Sequence, residues 1–433
     1  MTTTMNSDVV TTDNDVKTLL KFKVDSGKFS NALKPAIDIA TKGVLADSPY
    51  QGLITLESTD KGIDVFAFGG RLSCIINISE MTDVDIDYKF EEKGSATVNA
   101  VDFQRCIESF PPSTKVIIEN TGQALYVKVA SDEKEYQSVP LSVESVKIPK
   151  LANKFSKEVS INRAVFLESL KRVGWAFGKY EHREQFLYWR FMATKDFARF
   201  SAGDGGLFSS IDVKGSSFLK VEDKVEFFIP NDQTKVVLGI VSKANNNEEI
   251  TIKQAVSNND VPSQIVFSLD GITMILVGFE STIIWPDFDN LIKRKRNYRI
   301  RTKVSDWEYP CKGISATYTE EIKKQHDTHE SVVDMQMDNE VIILTSKTGA
   351  TSSRKVPIAD VLEKDDKSSL SFLCCTSHIS DVFGHANKNE DVEIEFIDDE
   401  SKPIFVIGQE DPNESLKVSY QNILLFGTMK RDK

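Results

Sequence analysis

Cysteine is scarce and poorly placed for cross-linking. The five cysteines, Cys74, Cys106, Cys311, Cys374 and Cys375, are odd in number and lack any C-x-x-C spacing. That excludes a disulfide framework and fits a reducing compartment. Histidine is equally rare, and His326 and His329 sit in a polar stretch with no further ligand at zinc spacing, so no metal site is expected. His182 lies in a charged loop and reads as surface. No apolar run approaches the roughly 18 residues of a membrane helix. Residues 1–17 lack the basic start and apolar stretch of a signal peptide and read as a disordered lead-in. A cytoplasmic protein without membrane contact is expected. The phosphate loop GxxxxGK[ST] and the nucleophile elbow GxSxG are both missing, and Gly203-Asp-Gly-Gly206 lies between strand-like stretches, as a tight turn does. With no paired carboxylates or Cys/His pair around a pocket, neither a cofactor nor catalysis is expected. Positive charge is also short, with 53 Lys+Arg against 65 Asp+Glu, or −12. This removes the simple argument for a tight nucleic-acid binder, although net charge does not say where the charges sit.

What the chain does have is a repeat. A short strand ends at an apolar or small residue, a polar stretch follows, and a large apolar residue comes five positions on. The instances are Val24 to Phe29, Val98 to Phe103, Ile161 to Phe166, Ile229 to Thr234, Thr302 to Trp307 and Cys374 to Ile379. Successive anchors are 74, 63, 68, 73 and 72 residues apart. Thr234 and Thr302 break the apolar pattern. Each anchor opens a single apolar stripe at helical spacing, such as Phe29, Leu33, Ile37 and Ala40. The spacing predicts helices over 28–42, 102–110, 163–174, 232–243, 305–315 and 378–388, with caps at Ser26, Asn99, Asn162, Asn231, Ser305 and Ser377. Pro35 and Pro310 should kink their helices.

Alternating segments between the helices read as antiparallel strands, separated by turns at Asp60-Lys-Gly62, Asn120-Thr-Gly122 and Asp270-Gly271. One strand–helix–strands unit cannot bury both a helix stripe and a sheet face, whereas two together can. The expected fold is α+β, with three tandem domains of two repeats each: 18–150, 151–298 and 299–433. The basic run Lys293–Arg299 reads as the second connector.

Divided by element, the charge is uneven. The six helices carry 11 Lys+Arg and 8 Asp+Glu, or +3, which leaves −15 elsewhere. The basic positions are Lys28, Lys34, Lys42, Arg105, Arg163, Lys171, Arg172, Lys235, Lys243, Lys312 and Lys388.

Three further segments carry a resemblance. The opening Leu20-Lys-Phe-Lys-Val-Asp25 with Phe29 and Leu33, the repeat start Gly94 to Phe103, and Trp285-Pro-Asp-Phe288 resemble elements of the bacterial β sliding clamp, the DNA polymerase III β subunit family. Ala202-Gly-Asp-Gly-Gly-Leu207 stands where that family has "A-T-D-G-H-R", so Gly206 and Leu207 replace His-Arg. The tail Phe426 to Lys433 also departs from the family's short Met/Pro/Leu-type end. Such drift suits a phage or plasmid version.

The resemblance implies a processivity factor that encircles duplex DNA without reading its sequence and tethers a DNA polymerase. It implies a clamp loader, and other partners that dock clamp-binding peptides in a groove. By resemblance the groove is Leu187, Gly205, Leu207, Phe208, Pro286, Asn290, Leu291, Leu424, Phe426 and Met429. Geometry adds an argument for a dimer. At roughly 10 Å spacing, six helices make an axis circle about 19 Å across, and twelve make one of about 38 Å. Helix radii of about 5 Å leave roughly 28 Å clear in the larger circle. A head-to-tail homodimeric ring with helices lining the hole follows. Its seam is expected where the apolar strand Val116-Ile117-Ile118, read as an edge, adds to the third domain of the second copy. The alternative is a non-replicative, β-rich repeat protein with a binding or structural role.

Overall fold

The structure is a computed structural model. It describes residues 19–42, 51–69, 72–81, 89–129, 140–144, 155–178, 184–215, 217–243, 249–255, 264–277, 285, 287–293, 296, 298–316, 332–338, 340–347, 351–364, 371–386, 388–396 and 403–429. The expectations for residues 1–17, His182, His326 and His329 lie outside these residues.

The chain divides into two compact units, one of Met1–Lys150 with Asp270–Ile275, the other of Leu151–Leu269 with Leu276–Lys433. In the first, the strand Leu20–Asp25 leads into α1 (Ser26–Lys42), and Ser95–Asn99 leads into α2 (Ala100–Glu108). One antiparallel sheet runs in the order Lys89–Glu92, Leu20–Asp25, Lys115–Asn120, Ala124–Val129, Leu141–Ser142. A second runs Ser95–Asn99, Leu53–Thr59, Gly62–Phe68, Leu72–Asn77. Strands such as Lys115–Asn120 alternate between buried and half-buried residues, as a sheet with one face on the core must. The helices meet through Phe29 and Phe103, whose rings stand edge to face at 6.2 Å.

The second unit repeats the plan. Lys157–Asn162 leads into α3 (Arg163–Val173), and Val225–Pro230 into α4 (Asn231–Lys243). A short helix, α5 (Phe288–Lys293), comes next. Tyr298–Lys303 then leads into α6 (Ser305–Ser315), and Ser371–Cys375 into α7 (Thr376–His385). The largest sheet of this unit has nine strands: Val225–Pro230, Tyr188–Ala193, Phe197–Gly203, Leu207–Gly215, Val418–Phe426, Ile404–Asn413, Asp391–Phe396, Tyr298–Lys303, Asp360–Lys364. A five-stranded sheet runs Ser353–Pro357, Val341–Ser346, Val332–Met337, Ser371–Cys375, Thr428–Met429. Trp307 of α6 stacks on Phe383 of α7 at 3.9 Å.

All six repeat anchors are buried, Thr234 included. Thr234 is polar because Trp189 needs a partner: its hydroxyl accepts from the indole Nε1 at 2.8 Å and donates to the Pro230 carbonyl. Thr302 does the same for Trp307. The turns form as read. Asp60-Lys61 joins two paired strands, and Asp270 and Gly271 both take positive φ, at 44° and 71°, as a tight hairpin turn requires.

Several expectations are corrected. Only Asn99 and Asn162 cap as read, each accepting from two backbone N–H groups. Asp25, not Ser26, accepts from Lys28 N, while the Ser26 hydroxyl donates to Pro111. α6 and α7 start without a side-chain cap, and Asn231 is spent on the Gly178 and Phe186 carbonyls. Pro35 and Pro310 lie inside their helices, as read. Lys388 lies beyond α7. The strand containing Val116, Ile117 and Ile118 is not an edge, because it pairs with Leu20–Asp25 on one side and Ala124–Val129 on the other. Its apolar side chains serve its own core, where Val116 and Ile118 are fully buried. The basic connector is absorbed too: Arg296 pairs with Glu395 and lies over the Phe405 ring, and Arg299 pairs with Glu393 and Glu395.

Candidate nucleic-acid interface and partner groove

The helix cations divide by what surrounds them. Lys28, Lys34, Arg105, Lys171, Lys235, Lys243 and Lys312 are exposed on their helices. Lys42 ends α1, and its side chain lies outside the described residues. Arg163 is half-buried and donates to the Val241 carbonyl, which ties α3 to the end of α4. Lys312 and Lys388 converge on Glu308, at 2.7 and 3.2 Å. Hydrogen bonds from these two lysines hold the Glu308 carboxyl below its ordinary range. That corner is therefore partly neutralised.

Arg172 is a correction. Its guanidinium bridges Glu168 and Asp411, each at 2.7 Å, and lies 4.5 Å from the centre of the Tyr420 ring. Burial works to lower its pKa, but the bonds from Asp411 and Glu168 outweigh that and raise it. The group is an internal tie and is not available to phosphate. Burial also pushes the Tyr420 phenol up to about 12.

Leu207, Leu424 and Phe426 pack in one buried cluster and Phe208, with Leu291, in another, so the expected groove residues do not share one pocket; Gly205, Leu207 and Phe208 do share one hairpin. Asp204 closes it by accepting from Gly206 N and Leu207 N, and Gly205 sits at φ 92°. This is a turn, with its N–H groups already used by a carboxylate. The strand beyond pairs Leu207 with Phe426, Phe208 with Leu425 and Ser209 with Leu424. Leu207, Phe208, Leu424 and Phe426 are all buried, so they are core in this structure. Leu187 and Leu291 are half-buried, and Gly205 and Asn290 are exposed. Met429 lies on a strand beside Leu373. Pro286 and the Met429 side chain lie outside the described residues.

Two features were not legible in the sequence. A Cβ on Gly206 would lie 2.4 Å from Cε1 of the His378 ring. The space that a side chain at Gly206 would need is therefore taken by an imidazole arriving from α7. The Nδ1 atom of His378 is buried without a hydrogen-bond partner. The second is an ion-pair cluster under α5, in which Arg190 and Arg199 share Asp289. Composition could have flagged it only as two arginines in an apolar strand pair.

Among the described residues no group of His, Cys, Asp or Glu is arranged to hold a metal. No described helix is long and apolar enough to cross a membrane. A cavity of about 840 Å³, lined by Phe155, Lys157, Glu158, Lys195, Lys220 and Lys224 among others, includes none of the expected site residues.

No protein-family model matches the chain, and no curated protein matches it. Solved structures do. A DNA polymerase sliding clamp from Bacillus subtilis aligns with TM-score 0.69 at 13% identity, over 96% of this chain and 100% of that one. The DNA polymerase III β subunit of Thermotoga maritima aligns with TM-score 0.66 at 15% identity, over 95% and 100%. A Pseudomonas aeruginosa sliding clamp bound to griselimycin aligns with TM-score 0.67 at 12% identity, over 95% and 100%. The chain thus has the fold of these clamps along nearly its whole length.

Proposed function

We propose that the chain is a DNA sliding clamp, a non-catalytic ring that encircles duplex DNA and tethers a replicative polymerase. The observation that carries this is the sixfold recurrence of a strand-led helix with a buried anchor, in a fold that matches solved clamps over 95% of the chain. Those helices make three packed pairs, α1 with α2, α3 with α4 and α6 with α7. That pairing supports three domains of two repeats, near 18–150, 151–298 and 299–433. Twelve helices from two copies then line a hole of duplex width. Lys28, Lys34, Arg105, Lys171, Lys235 and Lys243 are the cations proposed to meet phosphate. Holding is topological, so weak and mobile contacts suffice, and strong ones would stop sliding.

The repeat itself supports a seam in place of Val116–Ile118. Leu207–Gly215 is the third strand after α3 and pairs antiparallel with Val418–Phe426, the third strand after α7. Counted the same way, the third strand after α6 is Ser353–Pro357, and the third after α2 is Leu141–Ser142. Both are edge strands of their sheets. Joining them between copies repeats the internal junction and closes the ring by twofold symmetry. A loader would open this seam, and partner peptides would dock beside Leu187, Gly205 and Leu291.

The test is mass in solution. A chain of 48.6 kDa should run as a species of about 97 kDa at micromolar concentration, twice the chain mass. A stable monomer under those conditions sinks the ring.

A further inference from the structure

The groove reading leaves one buried cluster without a task. Arg190 is 7% exposed, on the strand Tyr188–Ala193, and Arg199 is half-buried on its neighbour Phe197–Gly203. Each already has a carboxylate from the sheet. Arg190 pairs with Glu226 on the adjoining strand, and Arg199 grips Asp212 with two nitrogens. Each then spends a further nitrogen on Asp289, Arg190 Nη2 at 2.8 Å and Arg199 Nη1 at 2.6 Å. Asp289 belongs to α5, a helix of six residues. A helix that short does not hold itself together in water.

Burial of the Asp289 carboxyl acts to raise its pKa, but the two guanidiniums outweigh it and hold the group below the ordinary carboxylate range. The remaining grip on α5 is apolar. Leu291 and Ile292 pack on a cluster of Phe186, Phe208, Phe405, Ile423 and Leu425. Asn290 and Leu291, the two residues that follow Asp289, are the α5 members of the expected groove. We propose that Asp289 is a positioning residue: by bridging Arg190 and Arg199 it fixes α5 on the sheet and so sets Asn290 and Leu291 for the partner peptide.

The arrangement suits such a latch. Losing Asp289 strands neither guanidinium, because Glu226 and Asp212 stay in place, so the sheet survives while its tie to α5 goes. An uncharged Asn keeps the shape and loses two charge-assisted bonds.

The inference rests on the groove reading, and the experiment separates the two. Hydrogen exchange of residues 287–293 is measured for wild type, Asp289→Asn and Asp289→Glu, together with binding of a clamp-binding peptide with apolar anchors to each. Asp289→Asn should speed exchange in that segment alone and weaken the peptide about tenfold, within the range that positioning contacts command. Asp289→Glu should recover most of both. Unchanged exchange in Asp289→Asn overturns the latch, whatever the ligand does. Faster exchange with unchanged affinity overturns the positioning role and leaves the groove intact. A wild-type chain that binds no clamp-binding peptide removes the groove reading, and the positioning role falls with it.

Discussion

Thr234 and Thr302 show what a single hydroxyl does inside an apolar repeat. Each occupies a place where the pattern calls for a large hydrophobic or apolar side chain, and each satisfies a buried tryptophan N–H. Replacing Thr234 by Val keeps the volume but leaves Trp189 Nε1 without an acceptor, and such a buried orphan costs about 1–3 kcal/mol. Urea unfolding should show that loss for Thr234→Val, whereas Thr234→Ser should retain most of the stability. Equal midpoints for Val and wild type would count against the bond. The apolar pattern cannot reveal this role, because Trp189 lies 45 residues from its partner. Thiol chemistry follows burial in the same way. Cys74, Cys311, Cys374 and Cys375 are buried, and burial pushes the thiols of Cys74 and Cys311 up to about 12. Cys106 alone is half-exposed, so a thiol reagent should label one of the five cysteines quickly in the folded chain. Rapid labelling of two or more would contradict the burial.

Helices were the most legible elements, because a stripe of period 3.6 shows in sequence without any partner. All six expected helices begin within two residues of the expected start. What failed were features that sequence periodicity does not encode. α5 has six residues and the strands Leu141–Ser142 and Leu219–Lys220 have two each, too few for a period to show. The neighbours of Val116–Ile118 were misread because sheet order is a property of pairs of strands. Capping divides the helices into two classes that stability can tell apart. Asn99 and Asn162 each accept two N–H groups, whereas the starts of α6 and α7 use no side chain. Asn99→Ala and Asn162→Ala should each cost about 1 kcal/mol. Ser305→Ala and Ser377→Ala should stay within about 0.5 kcal/mol of wild type. Thermal melts of the four variants make the comparison, and equal losses in all four would refute the assignment.

At the scale of the whole molecule the net charge of −12 gains a location. The acidity is mostly outside the six helices, but the helices are less basic than their lysine count suggests, because Arg172 is internal and Glu308 offsets Lys312 and Lys388. A binder that neutralises 6–10 phosphates loses about 10³–10⁵ in affinity between 50 and 200 mM salt, whereas a closed ring loses nothing until it opens or slides off an end. The proposed groove rests on resemblance, since its apolar members are indistinguishable from core, and the proposed ring rests on the repeat count. Topology is therefore the property to test. If monomers are concentrated in the presence of a nicked circle, the ring should assemble around it. Gel filtration at about 200 mM salt, above the range where contact binding survives, should then keep protein with the circle. Cutting the circle once should release it. Equal retention on circular and linear DNA would mean that contact does the holding, and the helices would lose their proposed place around the duplex.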